Sequence, residues 1–144
     1  MTPQDAARLA MNLAPLPKPE TEPFIMLQPA QNAAVVRWIA KHSKRPMNAT
    51  QLWAELFTAA HPSTGEILLT RAELAARLGL EPRTISELMT ELAGINAITR
   101  RKEGRRVIYA MNPNVATHIA GPEARKAARD AAGPLLRLME GGDS

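Results

Sequence analysis

Residues 70–111 read TRAELAARLGLEPRTISELMTELAGINAITRRKEGRRVIYAM, and their order decides how the chain folds. Thr70 followed by Glu73 is a capping-box pattern, in which a hydroxyl and a carboxylate satisfy orphan amides at a helix start. Leu74, Ala75 and Leu78 give that helix an apolar face, Gly79 supplies a turn, and Ala75 and Ala76 are small enough for a close helix crossing. Pro82 stands where a first-turn proline belongs, and Ile85, Leu88, Met89 and Leu92 recur at the spacing of one buried stripe. Gly94 ends this second helix and Ile95 returns to the core. Two strands follow, Ala97 to Lys102 and Arg105 to Met111, joined at Glu103-Gly104, with Ile98, Val107 and Tyr109 on inward positions.

Two short helices joined by a tight glycine turn make a helix-turn-helix, and the hairpin after them has the place of a wing. The stripe settles which side chains of the second helix face outward: Arg83, Thr84, Ser86, Glu87 and, one turn on, Thr90. These are donors and acceptors of a size suited to base edges and phosphates. The hairpin carries Arg100, Arg101, Lys102, Arg105 and Arg106, with only Glu103 against them. A basic hairpin alone can be a solvated edge whose charges discourage aggregation. The succession of strand, capped helix, glycine turn, Pro-started helix and basic hairpin favours binding to double-stranded DNA.

Upstream, six of the 12 prolines (Pro3, Pro15, Pro17, Pro19, Pro23 and Pro29) interrupt residues 1–30, so this stretch reads as an arm or linker. Ala6 to Leu13 is compatible with a short helix, and Phe24 to Leu27 with an apolar run docked on the core or a partner. From Gln31, Val35, Val36, Ile39 and Ala40 recur at helical spacing until Lys41, His42, Lys44 and Arg45, with Pro46 as the stop. A further helix, about Ala49 to Ala60 with Asn48 as its cap, aligns Leu52, Trp53, Leu56 and Phe57. Gly65 to Leu69 suits a small strand entered from the Ser63-Thr64-Gly65 turn. After Pro122 the chain is Ala-rich and helical in composition until Gly133-Pro134, beyond which Leu135, Leu136, Leu138 and Met139 need cover. That cover is either the chain's own domain or a second copy in a homodimer, and Arg125, Lys126 and Arg129 could lie along phosphate.

Composition narrows the function classes. With 144 residues the chain is long enough for one cored domain, and its formal net charge of +4 permits an anionic partner. Aromatics at 3% leave little material for stacking on unpaired bases, which duplex binding does not require. The absence of cysteine removes disulfides and thiolate metal sites and fits a reducing compartment. No secretory pattern opens the sequence and no stretch approaches 18 apolar residues, so the expectation is a soluble, cytoplasmic protein without a membrane partner. His42, His61 and His118 are isolated, and no phosphate loop, nucleophile elbow or dinucleotide fingerprint occurs. No catalytic residue, metal ligand or cofactor is therefore assigned.

The quoted run resembles the DNA-binding core of winged-helix regulators such as the MarR family. Continued through Asn112-Pro113, and with Phe24 to Leu27 and the Leu-Leu-Thr before the first helix, it is also similar to plasmid replication initiators of the RepL type. The resemblance covers about Phe24 to Ala120 and leaves the Pro-rich start and Ala-rich end outside. It implies Arg83, Thr84, Ser86 and Glu87 at the groove-facing start of the recognition helix. It also implies Arg101, Lys102, Arg105 and Arg106 on the wing, and Thr70 and Arg71 near a phosphate at a helix N-terminus. The expected architecture is mainly α with a small antiparallel β-hairpin, a winged helix-turn-helix over 31–120 between an arm, 1–30, and a helical tail, 121–144. Three functions follow: a dimeric transcriptional regulator acting as a repressor; a replication initiator or copy-control protein on origin repeats; and a protein-interaction module with a basic wing.

Overall fold

The computed structural model describes residues 25–62, 64–117, 119 and 121–135. Among them the protein is mainly helical, with a two-stranded antiparallel hairpin. In chain order the elements are β1 (Met26–Leu27), α1 (Pro29–His42), α2 (Pro46–Ala59), α3 (Arg71–Leu78), α4 (Pro82–Gly94), β2 (Ile98–Glu103), β3 (Arg106–Met111), β4 (Ala116–Thr117) and α5 (Pro122–Ala132). No helix among the described residues is long and apolar enough to cross a membrane. The helix expected over Ala6 to Leu13, and Phe24, Ser63, His118, Leu136, Leu138 and Met139, lie outside the described residues.

Prolines begin helices here rather than end them. Pro29 and Pro46 occupy first-turn positions of α1 and α2, where the missing N–H costs nothing and the fixed φ is already helical. Pro46 is thus a start and not a stop, α1 begins two residues before Gln31, and Asn48 lies inside α2 instead of capping it. Ala49, Leu52, Trp53, Leu56 and Ala59 are the buried face of α2, against Val35 and Ile39 of α1. The Trp53 indole N–H donates to Asn32 Oδ1 at 2.7 Å, tying the two helices where apolar packing alone would leave a buried donor.

The reciprocal cap of α3 is formed: the Glu73 amide donates to Thr70 Oγ1 at 3.0 Å and the Thr70 amide to Glu73 Oε1 at 2.8 Å. Gly79 closes the helix with φ of +68°, a conformation that penalises a Cβ. Across the turn Ala75 is buried, whereas Ala76 is exposed and takes no part in the crossing. In α4, Ile85, Leu88, Met89 and Leu92 are buried as one stripe. They join Leu52, Leu56, Leu74, Ile95 and Ile98 in a single core.

β2 and β3 pair from Ile98↔Met111 to Glu103↔Arg106, leaving a two-residue turn at Gly104-Arg105, one residue later than the sequence suggests. Gly104 has φ of +63°, which suits the first central position of such a turn. The segment expected as a strand over Gly65 to Leu69 makes isolated bridges, Ala60↔Ile67 and Glu66↔Ala110, so it flanks β3 without becoming a full strand. The Met111 amide donates to Gly65 O and the Ile67 amide to Tyr109 O, both at 2.8 Å. A Cβ on Gly65 would stand 3.4 Å from Met111 O, and the glycine also has φ of +77°. The inward alternation of the hairpin is shifted from the expectation: Val107 is exposed and Ile108 is buried on the opposite face.

Three asparagines join the base of the hairpin to the end of α5. Asn112, fully buried, donates through Nδ2 to Asn96 O at 2.7 Å and to Gly133 O at 3.0 Å. Asn114 Nδ2 donates to Gly133 O and Arg129 O, and Asn96 Nδ2 to Ala132 O and Pro134 O. Gly133 ends α5, and Leu135 turns back into the chain's own core; α5 itself has no buried residue. β1 pairs antiparallel with β4 through Met26↔Thr117 and Leu27↔Ala116.

Asn112→Ala takes away the donor that Asn96 O and Gly133 O share. It should lower stability by about 1–3 kcal/mol in urea unfolding. Thr70→Ala should cost about 1 kcal/mol in the same assay, through loss of the α3 cap.

Candidate nucleic-acid interface

The stripe that buries α4 leaves its opposite face free, and the hairpin stands beside the flank of α4 that carries Ser86, Met89, Thr90 and Ala93. Between them is an open cleft of about 900 Å³. Thr70 and Arg71 from the start of α3, Ser86 and Thr90 from α4, and Arg100 and Arg105 from the hairpin all line it. Among the described residues no carboxylate lines this cleft, and its lining includes the apolar Ile67, Leu69 and Tyr109. Side chains from three separate stretches, singled out in the sequence by their type, are thus brought to one surface.

The polar groups are partly organised already. Arg71 Nη1 donates to Ser86 Oγ at 2.9 Å, which bridges the start of α3 to the first turns of α4. Thr90 Oγ1 donates back to Ser86 O at 2.9 Å, a local bond that costs little to exchange for another acceptor. Arg100 and Arg105 have no carboxylate within ion-pair distance among the described residues. Guanidinium groups in this state, next to hydroxyls, offer bidentate donors to phosphate oxygens.

The remaining candidates divide according to the faces of helix and hairpin. Arg83 and Glu87 lie on the outward face of α4 and form an i,i+4 pair at 3.6 Å, with the Arg83 side chain 91% exposed. Thr84 departs from the expectation. It is only 9% exposed, because it stands one turn before Leu88 and shares that residue's side of the helix; its hydroxyl does not belong to the outward set. The hairpin register puts Arg100 and Lys102 on the face of Tyr109 and Val107, and Arg101 and Arg106 on the face of Ile108.

Arg101 is therefore turned away from the cleft. Its Nη2 reaches Glu66 Oε2 at 2.6 Å and Glu103 Oε2 at 3.0 Å. Hydrogen bonds to Glu66 first and Glu103 second hold its pKa above the ordinary arginine value. The pairing ties the hairpin to the extended segment at Glu66. In the sequence the five hairpin cations read as one cluster; strand alternation is the signal that separates them. The cations before Pro46 read there only as the end of a helix. Among the described residues, no cluster of three potential metal-ligating side chains occurs.

Arg101→Ala should loosen the hairpin from the 65–67 segment and raise hydrogen exchange at the Ile67 and Met111 amides. Arg100→Ala, on the other face, should leave both amides as protected as in the parent protein. The chain matches no family model, no curated protein and no solved structure.

Proposed function

We infer that the protein is a sequence-specific, double-stranded DNA-binding regulator of the winged helix-turn-helix type. In this reading α3 and α4 are the helix pair, α4 enters the major groove, and the β2–β3 hairpin is the wing. The observation that carries the reading is the cleft in which Arg71, Arg100 and Arg105 meet Thr70, Ser86 and Thr90, with no carboxylate among the described residues that line it. A sugar-phosphate strand supplies the anionic oxygens such a cleft can bind, and a phosphate near the first amides of α3 gains from the helix dipole. The outward Arg83, exposed and only weakly paired, has the donor geometry for a guanine edge. As a regulator the protein would act as a homodimer, presenting two copies of α4 to half-sites about one helical turn apart.

Fluorescence anisotropy with duplex DNA across a salt series tests the proposal. Binding should weaken steeply as salt rises, and Arg100→Gln and Arg105→Gln should each reduce the slope of log K against log salt by about 0.9, with equal losses on all sequences. On a selected site, Arg83→Ala should cost about 1–3 kcal/mol and leave random-sequence binding unchanged. Absence of duplex binding at low salt would sink the DNA-binding reading and favour an acidic protein partner for the same cleft.

A further inference from the structure

A second set of cations flanks α4 on the side away from the cleft. Residues 41–45 read KHSKR, without an acid, and Arg37 lies one helical turn before Lys41 on α1. Arg37, Lys41, Lys44 and Arg45 are all exposed, and among the described residues none has a carboxylate within ion-pair distance. Lys41 and His42 have an ordinary structural role, since cations in the last turn of α1 complement its dipole. Lys44 and Arg45 have no such role. Arg45 is the N-cap of α2 and supplies no side-chain acceptor, at a helix end where the dipole disfavours positive charge. The one carboxylate that reaches this turn among the described residues, Glu91, forms no ion pair with either the Lys44 or the Arg45 side chain.

The position of the turn is set by α4. Glu91 accepts from Ser43 Oγ at 2.7 Å through one carboxylate oxygen and from the Lys44 amide at 3.1 Å through the other. Ser43 Oγ in turn accepts from the Arg45 amide at 3.1 Å. The carboxylate is thus engaged by a hydroxyl and the main chain, and among the described residues neither the Lys44 nor the Arg45 side chain forms an ion pair. At 100° per residue, Glu91 lies about 140° around α4 from Ser86, with Arg83 and Glu87 between them. The free face of α4 therefore has Arg71, Arg100 and Arg105 on one flank and the turn that carries Lys44 and Arg45 on the other.

We propose that the turn between α1 and α2 is a second phosphate-binding surface, which takes the DNA strand on the opposite wall of the groove that α4 enters. The inference rests on the major-groove reading of α4. A helix about 10–12 Å across fills a groove about 12 Å wide, so the two phosphate strands run along its two flanks. The cleft accounts for one strand. The cations pinned by Glu91 account for the other, with the first amides of α2 beside them.

The test is a salt series on random-sequence duplex DNA with the full chain, the combined variant Lys41→Gln, Lys44→Gln and Arg45→Gln, and the cleft variant Arg100→Gln and Arg105→Gln. The three substituted side chains make no hydrogen bond or ion pair among the described residues, so thermal unfolding should show only a small shift, from the loss of Lys41 at the α1 C-terminus and of the opposed Arg45 charge at the α2 N-terminus, and reports on fold directly. The combined variant is expected to lower the salt slope by about 0.9 for each phosphate it no longer neutralises, up to about 2.7, with the same proportional weakening on every duplex. A slope equal to that of the wild type, while the cleft variant has a reduced one, overturns the second surface and leaves the proposed function standing. Failure of the wild type to bind duplex overturns both. Ethylation interference on a selected site adds an independent reading: interfering phosphates on both walls of one groove support the proposal, and phosphates on a single wall overturn it.

Discussion

Burial of one face of α4 is the constraint on which the other arrangements depend. Ile85, Leu88, Met89 and Leu92 are each 4% exposed or less, and each contributes about 1.5–3 kcal/mol by leaving water. Turning the helix to hide Arg83 or Glu87 would forfeit several of these contributions at once, whereas the surface ion pair between those residues is worth at most about 1 kcal/mol. Apolar packing, not charge, therefore decides which polar groups are presented. Because the stripe is continuous with Leu74 of α3 and Ile98 of β2, the same packing sets α3 and the base of the hairpin beside α4.

Polar bonds then remove the freedom that apolar packing leaves. Hydrophobic association is non-directional and would allow the hairpin and α5 to slide on the core. The amides of Asn96, Asn112 and Asn114 converge on carbonyls at the end of α5, and such bonds tolerate little displacement in a buried setting. On the hairpin's outer side Arg101 ties Glu66 and Glu103 together, and on the far flank of α4 Glu91 holds the turn at Ser43. Each tie uses up one charged or amide group and thereby leaves neighbours free. Among the described residues Arg101 is occupied while Arg100 is not, and Glu91 is occupied by Ser43 and the Lys44 amide while the Lys44 side chain is not.

Much of the fold is legible in residues whose effect is local. The Thr70/Glu73 cap, the αL turn at Gly79, the first-turn Pro82 and the tight turn beside Gly104 all act within a few residues of where their types imply. Pro29 and Pro46 mislead, because the same ring that breaks a helix interior is well placed in its first turn, and local sequence leaves both outcomes open. The site is less legible. Residue type picks out Arg71, Ser86, Thr90, Arg100 and Arg105, but their meeting in one cleft depends on the crossing of α3 and α4 and on where the hairpin docks.

The sequence by itself determined the succession of helices and hairpin, the Thr70/Glu73 cap and the Gly79 turn, and the apolar stripe of α4, because these depend on backbone preferences and on periodicity. Only the tertiary structure decided that Thr84 is buried, that Arg101 faces two acids while Arg100 faces the cleft, and that the cations before Pro46 stand beside α4. The physical reason is range. A side chain's exposure and its ion-pair partners are set by segments tens of residues away, and no pattern within one segment encodes how near that neighbour is brought.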